Sequence, residues 1–167
     1  MESQANDNRM NLSQSALRVQ QALQELGLSL EVLELPASTR TSQEAAQAIG
    51  CMVGQIAKSI IFRGLLTDQP IMVIASGPNH IEETIISGLR GETIRKADAD
   101  YVRQHTGFAI GGVPPLGHAE KIIMYLDQDL FQYQEIWAAA GTPRAVFRLT
   151  PQDLVRMTSG IIIRVTG

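Results

Sequence analysis

The sequence predicts a single mixed α/β domain, and three observations carry that expectation. Helical and strand-like periodicities interleave along the 167 residues without a strict βαβ rhythm. Several neighbouring strand-like runs lie close enough to form hairpins. Hydrophobic residues make up 44% and charged residues 19%, and no linker, repeat or low-complexity segment divides the chain.

Residues 1–11 are polar and aperiodic, an expected frayed tail ahead of a domain over 12–167. Leu12, Ala16, Val19, Leu23 and Leu26 recur at helical spacing, and Gly27 ends that helix. "SLEVLELP" reads as a strand closed by Pro36. In "TSQEAAQAIG", Thr41 is the expected N-cap, Glu44 its capping-box partner and Gly50 the stop. "QIAKSIIFRG" and "PIMVIASG" form two strands joined by a polar turn around Asp68. Asn79 is expected to cap a helix carrying Ile81, Ile85 and Leu89. A short strand near Thr93 and a helix from about Ala99 to His105 follow. "KIIMYLD", "EIWAAAG" and "RAVFRL" read as strands, Thr150 with Pro151 opens a last helix, and "GIIIRV" closes the chain as a strand.

Composition narrows the function classes. Fourteen Lys plus Arg against 17 Asp plus Glu give a formal charge of −3, so a phosphate-rich partner needs a local basic patch. The single cysteine, Cys51, excludes an internal disulfide and a multi-cysteine metal site. No apolar run reaches membrane-spanning length, and "MESQANDNRM" lacks the apolar core of a signal peptide, so a cytoplasmic location is expected. There is no G-x-S-x-G, H-E-x-x-H, P-loop or dinucleotide fingerprint.

Four places draw the eye. Lys58 shares a strand face with Ile56, Ile60 and Phe62. It either snorkels to water or aims its ammonium into a partly dry pocket; removing it from apolar neighbours is expected to cost the fold little. "AIGGVPPLGH" (109–118) sets a glycine turn against two prolines, either a plain turn or a rigid loop whose N–H groups receive an anion, with His118 at its end. "AAAGTPR", with Ala140, Gly141 and Thr142, implies close approach by another backbone or by a ligand. Arg90, Arg95 and Lys96 fall within seven positions, a solvated helix end or a guide for nucleic acid.

In this order, "QIAKSIIF", "VIASGPNHI", "GFAIGGVPPLGH" and "AAAGTPR" resemble the YbaK-type family, the prolyl-tRNA synthetase-associated editing domains. The resemblance spans roughly residues 29–165. It implies a mixed α/β fold whose barrel-like, mostly antiparallel or mixed sheet is flanked by helices. It also implies hydrolysis of the ester of mischarged tRNA, with the terminal ribose hydroxyl helping to activate water. By that likeness Lys58 matches the essential lysine, Gly111, Gly112, Val113, Pro114 and Pro115 the G-x-x-x-P substrate loop, and Gly141 a pocket glycine. Gly117, His118, Ala140 and Thr142 complete the expected substrate site. Pro114 stands where members clearing cysteine or alanine often carry Ser or Thr. The implied substrate carries alanine, cysteine, serine or threonine, and no metal or other cofactor is called for. The implied partner is the tRNA acceptor end, with recruitment by a synthetase or elongation factor offsetting the negative charge; neither membrane nor DNA is expected. A non-catalytic module binding an RNA end or small ligand is the alternative.

Overall fold

The computed structural model describes residues 11–167; the expected tail over 1–11 falls, except for its last residue, outside the described residues. Its helices are α1 (Gln14–Glu25), α2 (Ser42–Ile49), α3 (Glu83–Arg90), α4 (Ala99–Thr106) and α5 (Pro151–Thr158). Its strands are β1 (Val32–Glu34), β2 (Ile56–Gly64), β3 (Pro70–Ser76), β4 (Ile94–Lys96), β5 (Ile123–Asp127), β6 (Ile136–Ala139), β7 (Ala145–Leu149) and β8 (Ile161–Ile163). They form one mixed sheet in the order β1-β7-β6-β2-β3-β5-β8, with β4 also on β2. Among the described residues the ladders run as an open path from β1 to β8, so no hydrogen-bonded seam joins those two strands.

Local chemistry explains most element ends. Ser13 caps α1, and its apolar stripe buries Ala16, Val19 and Leu23 completely. Thr41 caps α2 by accepting the Glu44 N–H, but the Glu44 carboxylate turns to the Ser38 hydroxyl instead of closing the box. Thr150 and Asp153 do close a capping box on α5. Asn79 is not a cap: α3 starts at Glu83 after Glu82. The Asn79 amide donates instead to Asp127 at 2.8 Å and Asp129 at 2.7 Å. Two carboxylates within reach of one amide outcompete a helix terminus for it.

β3 is buried along all seven residues, which makes it the central strand. β2 beside it has two distinct faces. Ala57 and Ile61 join the main core with Met72, Ile74 and Phe147 beneath α1. On the other face Phe62 and Ile60 pack with Val73 and Tyr125, while Ile56 packs with Ala45 and Ala46 of α2. Lys58 lies between those two apolar clusters, as strand parity requires.

One irregularity positions the site. The edge of β2 opposite β3 is shared by two strands. β6 pairs in parallel with Ile56 and Ala57. β4 pairs antiparallel with Phe62, Arg63 and Gly64. Between them the edge is uncovered.

Candidate functional site

Lys58 stands at this break. It is half-buried, and its Nζ donates to the carbonyl oxygens of Gly77 at 3.1 Å and Asn79 at 2.6 Å. An ammonium has three donors, so one remains for a ligand. Burial pushes Lys58 below the ordinary lysine value, the charge of Lys96 pushes the same way, and Asp127 opposes both. The carbonyls that hold Lys58 are themselves held. Asp127 is 1% exposed and accepts the Ser76 N–H, the Asn79 amide and the Asp129 N–H, which fixes the 76–79 turn under the lysine.

Two neighbouring cavities that share seven lining residues lie at the break. The inner one is about 80 Å³ and lies where β6 parts from β2; Ile56, Ala57, Trp137, Ala138, Ala139 and Val146 wall it. The outer one is about 580 Å³ and is bounded by Ser59, Ile60 and Ile61 of β2, by Lys96 and Ala97, by the 77–80 turn and by Ile110. Lys58, Ser59, Arg40, Thr41, Ser42, Gly111 and Val113 border both. Charge on these walls has one sign. Arg40, Lys58 and Lys96 contribute cations, His80 sits at the rim, and no Asp or Glu lines either cavity. The first turn of α2 faces the outer cavity, adding the positive end of its dipole. The net charge of −3 is thus locally reversed.

The expected site residues divide into three groups. Lys58, Gly111 and Val113 border the cavities. Gly112, Pro114, Ala140, Gly141 and Thr142 do not, and the first and last two of these brace the loop from behind. The Gly141 N–H donates to the Gly112 carbonyl at 2.8 Å, and a Cβ on Gly112 would lie 2.8 Å from the Thr142 backbone. Gly141, at φ +99°, would bring a Cβ within 2.7 Å of the Ser15 carbonyl oxygen. The close approach implied by "AAAGTPR" is therefore made by backbone. Pro115, Gly117 and His118 border a separate surface groove with Ala22 and Leu26 of α1. The His118 Nε2 meets the Pro114 carbonyl at 2.7 Å, and burial pushes the imidazole down against the opposing pull of that hydrogen bond.

Other residues named from the sequence have simpler settings. His105 pairs with Glu120 at 2.8 Å. Cys51 packs against the Ile56 cluster, where burial pushes its thiol up and away from thiolate chemistry. Sequence reasoning passed over Arg40, Ser42 and Trp137, gave Asn79 the role of a helix cap, and left Lys96 as either a solvated helix end or a guide for nucleic acid. The polar run "TRTSQ" ahead of α2 held a signal for the first two, since a helix N-terminus with an adjacent arginine suits an anion.

Fold and site together define a mixed α/β domain with a lysine-centred cationic pocket beside a smaller cavity. The chain belongs to the aminoacyl-tRNA editing domain family, whose model matches residues 36–157. It is accordingly a hydrolase of the aminoacyl-tRNA ester. The uncharacterised protein YwhH of Bacillus subtilis is 36% identical over 74% of this chain and 78% of its own length. A solved structure described as a candidate trans-editing enzyme for prolyl-tRNA synthetase is 48% identical, with a TM-score of 0.89 over 94% of this chain and 99% of that one. A candidate Cys-tRNA(Pro)/Cys-tRNA(Cys) deacylase of Enterococcus faecalis, EbsC, is 22% identical over 75% of this chain and 77% of its own length. Among the described residues no helix is long and apolar enough to cross a membrane.

Proposed function

We propose that this domain acts in trans, in the cytoplasm, to remove alanine, cysteine, serine or threonine from the 3′ end of a mischarged tRNA. The observation that carries this reading is the pair of cavities that meet at Lys58: a cationic one of about 580 Å³ beside a smaller one of about 80 Å³. The terminal nucleotide and its phosphates suit the larger one, where the cations of Arg40, Lys58 and Lys96 gather. The side chain of the attached amino acid suits the part of the inner chamber walled by Ile56, Ala57, Trp137, Ala138, Ala139 and Val146, away from the cations of Arg40 and Lys58 at its border. A rigid small chamber rejects by size, the kind of discrimination editing adds where synthesis sites cannot separate near-isosteres. The Enterococcus relative named for Cys-tRNA supports cysteine as one member of the set.

The chemistry asks little of the protein. A water oxygen attacks the ester carbonyl carbon, the bond from that carbon to the ribose oxygen breaks, and the ribose oxygen takes up the proton that the water loses. An aminoacyl ester is already activated, so positioning and charge stabilisation carry the rate. Lys58 anchors the anionic end with its free donor, while Gly111 and Val113 shape the opposite wall. The test is a panel of tRNAs mischarged with these four amino acids and with bulky ones, read by release of free amino acid. Rapid release of a small residue and retention of bulky ones supports the reading. Equal release of bulky residues overturns the size sieve, and binding without any release favours a non-catalytic module.

A further inference from the structure

We propose that the uncovered edge of β2 at Ser59 reads the α-aminoacyl group itself, its carbonyl oxygen accepting from the substrate ammonium and its N–H donating to the ester carbonyl. The assignment rests on the deacylase reading of the same pocket and deepens it, because it says which atoms recognise an aminoacyl group as such.

The argument starts from strand geometry. Within a strand both main-chain groups of one residue point to the same side, and successive residues alternate. Gly64 donates to Gln69 in the β2–β3 turn, whereas Ile61 accepts from Ala97 and Leu65 donates to Thr93, both beyond β4's ends. Odd-numbered residues of β2 therefore face the β6/β4 edge and even-numbered ones face β3. On the odd edge the β6 ladder ends at Ala57↔Ala138, and the β4 ladder begins at Phe62↔Lys96. Ser59 is the residue of that edge whose N–H and C=O both fall in the interval. It borders both cavities and adjoins Lys58.

An aminoacyl ester has the shape to fill this interval. Its amine, α-carbon and carbonyl repeat the unit of one backbone residue. It can pair with Ser59 as a strand residue does, exchanging two hydrogen bonds with α-carbons about 5.5 Å apart. The charge of the two cavities makes the carbonyl half necessary. With Arg40 and Lys58 bordering both, Lys96 on the outer one and no carboxylate on the walls, an α-ammonium needs oxygen acceptors. The Gly77 and Asn79 carbonyls are occupied by Lys58, and that of Ile61 by Ala97. Ser59 supplies the carbonyl that remains on this edge. Its N–H, fixed by β2, donates toward the ester oxygen without reorganisation as negative charge grows there.

The experiment compares two substrates on the native protein and one backbone change. The substrates are tRNA carrying alanine, or the fastest-released small amino acid, and tRNA carrying its deamino counterpart, propionate for alanine. Each rate is divided by spontaneous hydrolysis of the same ester. The backbone change replaces the Ser59 amide by an ester through semisynthesis, which removes the pocket-facing donor and adds no bulk. We expect the enhancement to fall roughly 30-fold without the amine and at least about tenfold without the N–H, the range for hydrogen bonds involving a charged or charging group. Loss in both comparisons supports the assignment, and an unchanged enhancement in either overturns it. The deamino arm uses unaltered protein, so a folding defect in the semisynthetic chain cannot mask the result. Absence of release from every aminoacyl ester overturns the deacylase reading and the edge assignment together; insensitivity with active release overturns the edge assignment alone.

Discussion

Replacing Lys58 by alanine separates what the residue does for the ligand from what it does for the fold. Its Nζ satisfies the Gly77 and Asn79 carbonyls at 3.1 and 2.6 Å, so the change strands two acceptors at a half-buried position. Water entering the open pocket compensates much of that loss, leaving about 1–2 kcal/mol of destabilisation. For a chain of this length that is a fall in Tm of roughly 2–8 °C. This exceeds the little cost expected from the sequence, because parity reveals apolar neighbours but not the two carbonyls. On the substrate side, a charge contact at about 4 Å in a medium of effective dielectric near 20 is worth up to about 4 kcal/mol. Partial exposure reduces this to about 2–4 kcal/mol, or roughly 30- to 1000-fold in rate. Lys58→Arg is expected to recover little, since a planar, longer guanidinium cannot meet both carbonyls and the ligand from the same place. The assays are a thermal melt and single-turnover deacylation on the same preparations. A folded Lys58→Ala protein that hydrolyses its best substrate at the native rate would falsify the anchoring role.

Four further outcomes follow from the same geometry. Because burial lowers Lys58 below its ordinary value, the affinity for a 5′-phosphorylated, non-hydrolysable acyl-adenosine lacking the α-amine should decline with rising pH before 10.5 is reached; an unchanged affinity up to that pH argues against a charged anchor. Asn79→Leu removes the donor shared by Asp127 and Asp129, and should lower stability by about 2–3 kcal/mol in urea titration, where a native midpoint counts against the network. Gly112→Val drives a side chain into the Thr142 backbone; activity and melting temperature should fall together, and loss of activity at native stability would return Gly112 to the ligand wall. His118 is held below its ordinary value of 6.5, so the unfolded chain binds its proton first on acidification; native stability should drop as pH falls from 6.5 through the folded value, and His118→Gln should flatten that slope.

Caps and periodicity made much of the fold legible. Thr41 or Thr150 ahead of a helix, with Gly50 after one, mark ends through local hydrogen bonding that a sequence displays directly. Asn79 misleads because its decisive partners lie 48 and 50 residues away. The same distance effect hides the roles of the glycines. Gly112 and Gly141 are glycines for packing reasons, against Thr142 and Ser15, and only Gly111 of the expected loop glycines borders the pocket. Lys58 could be singled out from strand parity, but its two carbonyl partners and the cations of Arg40 and Lys96 come from elements the sequence does not show to be neighbours.

The shared edge of β2 also sets an aperture. Lys58 to Ile61, the four positions between the two ladders, are three strand rises apart and span about 10 Å. Side chains on the walls adjust what fits inside, but the width of the opening depends on where β6 and β4 stop. One more ladder pair on either strand would narrow it by about 3.3 Å. Strand length thus becomes a dimension along which related domains can differ in the bulk they admit, with Lys58 and the loop left unchanged. Lengthening β6 by a residue narrows the opening from the side of the smaller cavity; lengthening β4 narrows it from the side of the larger one, beside Lys96 and Ala97.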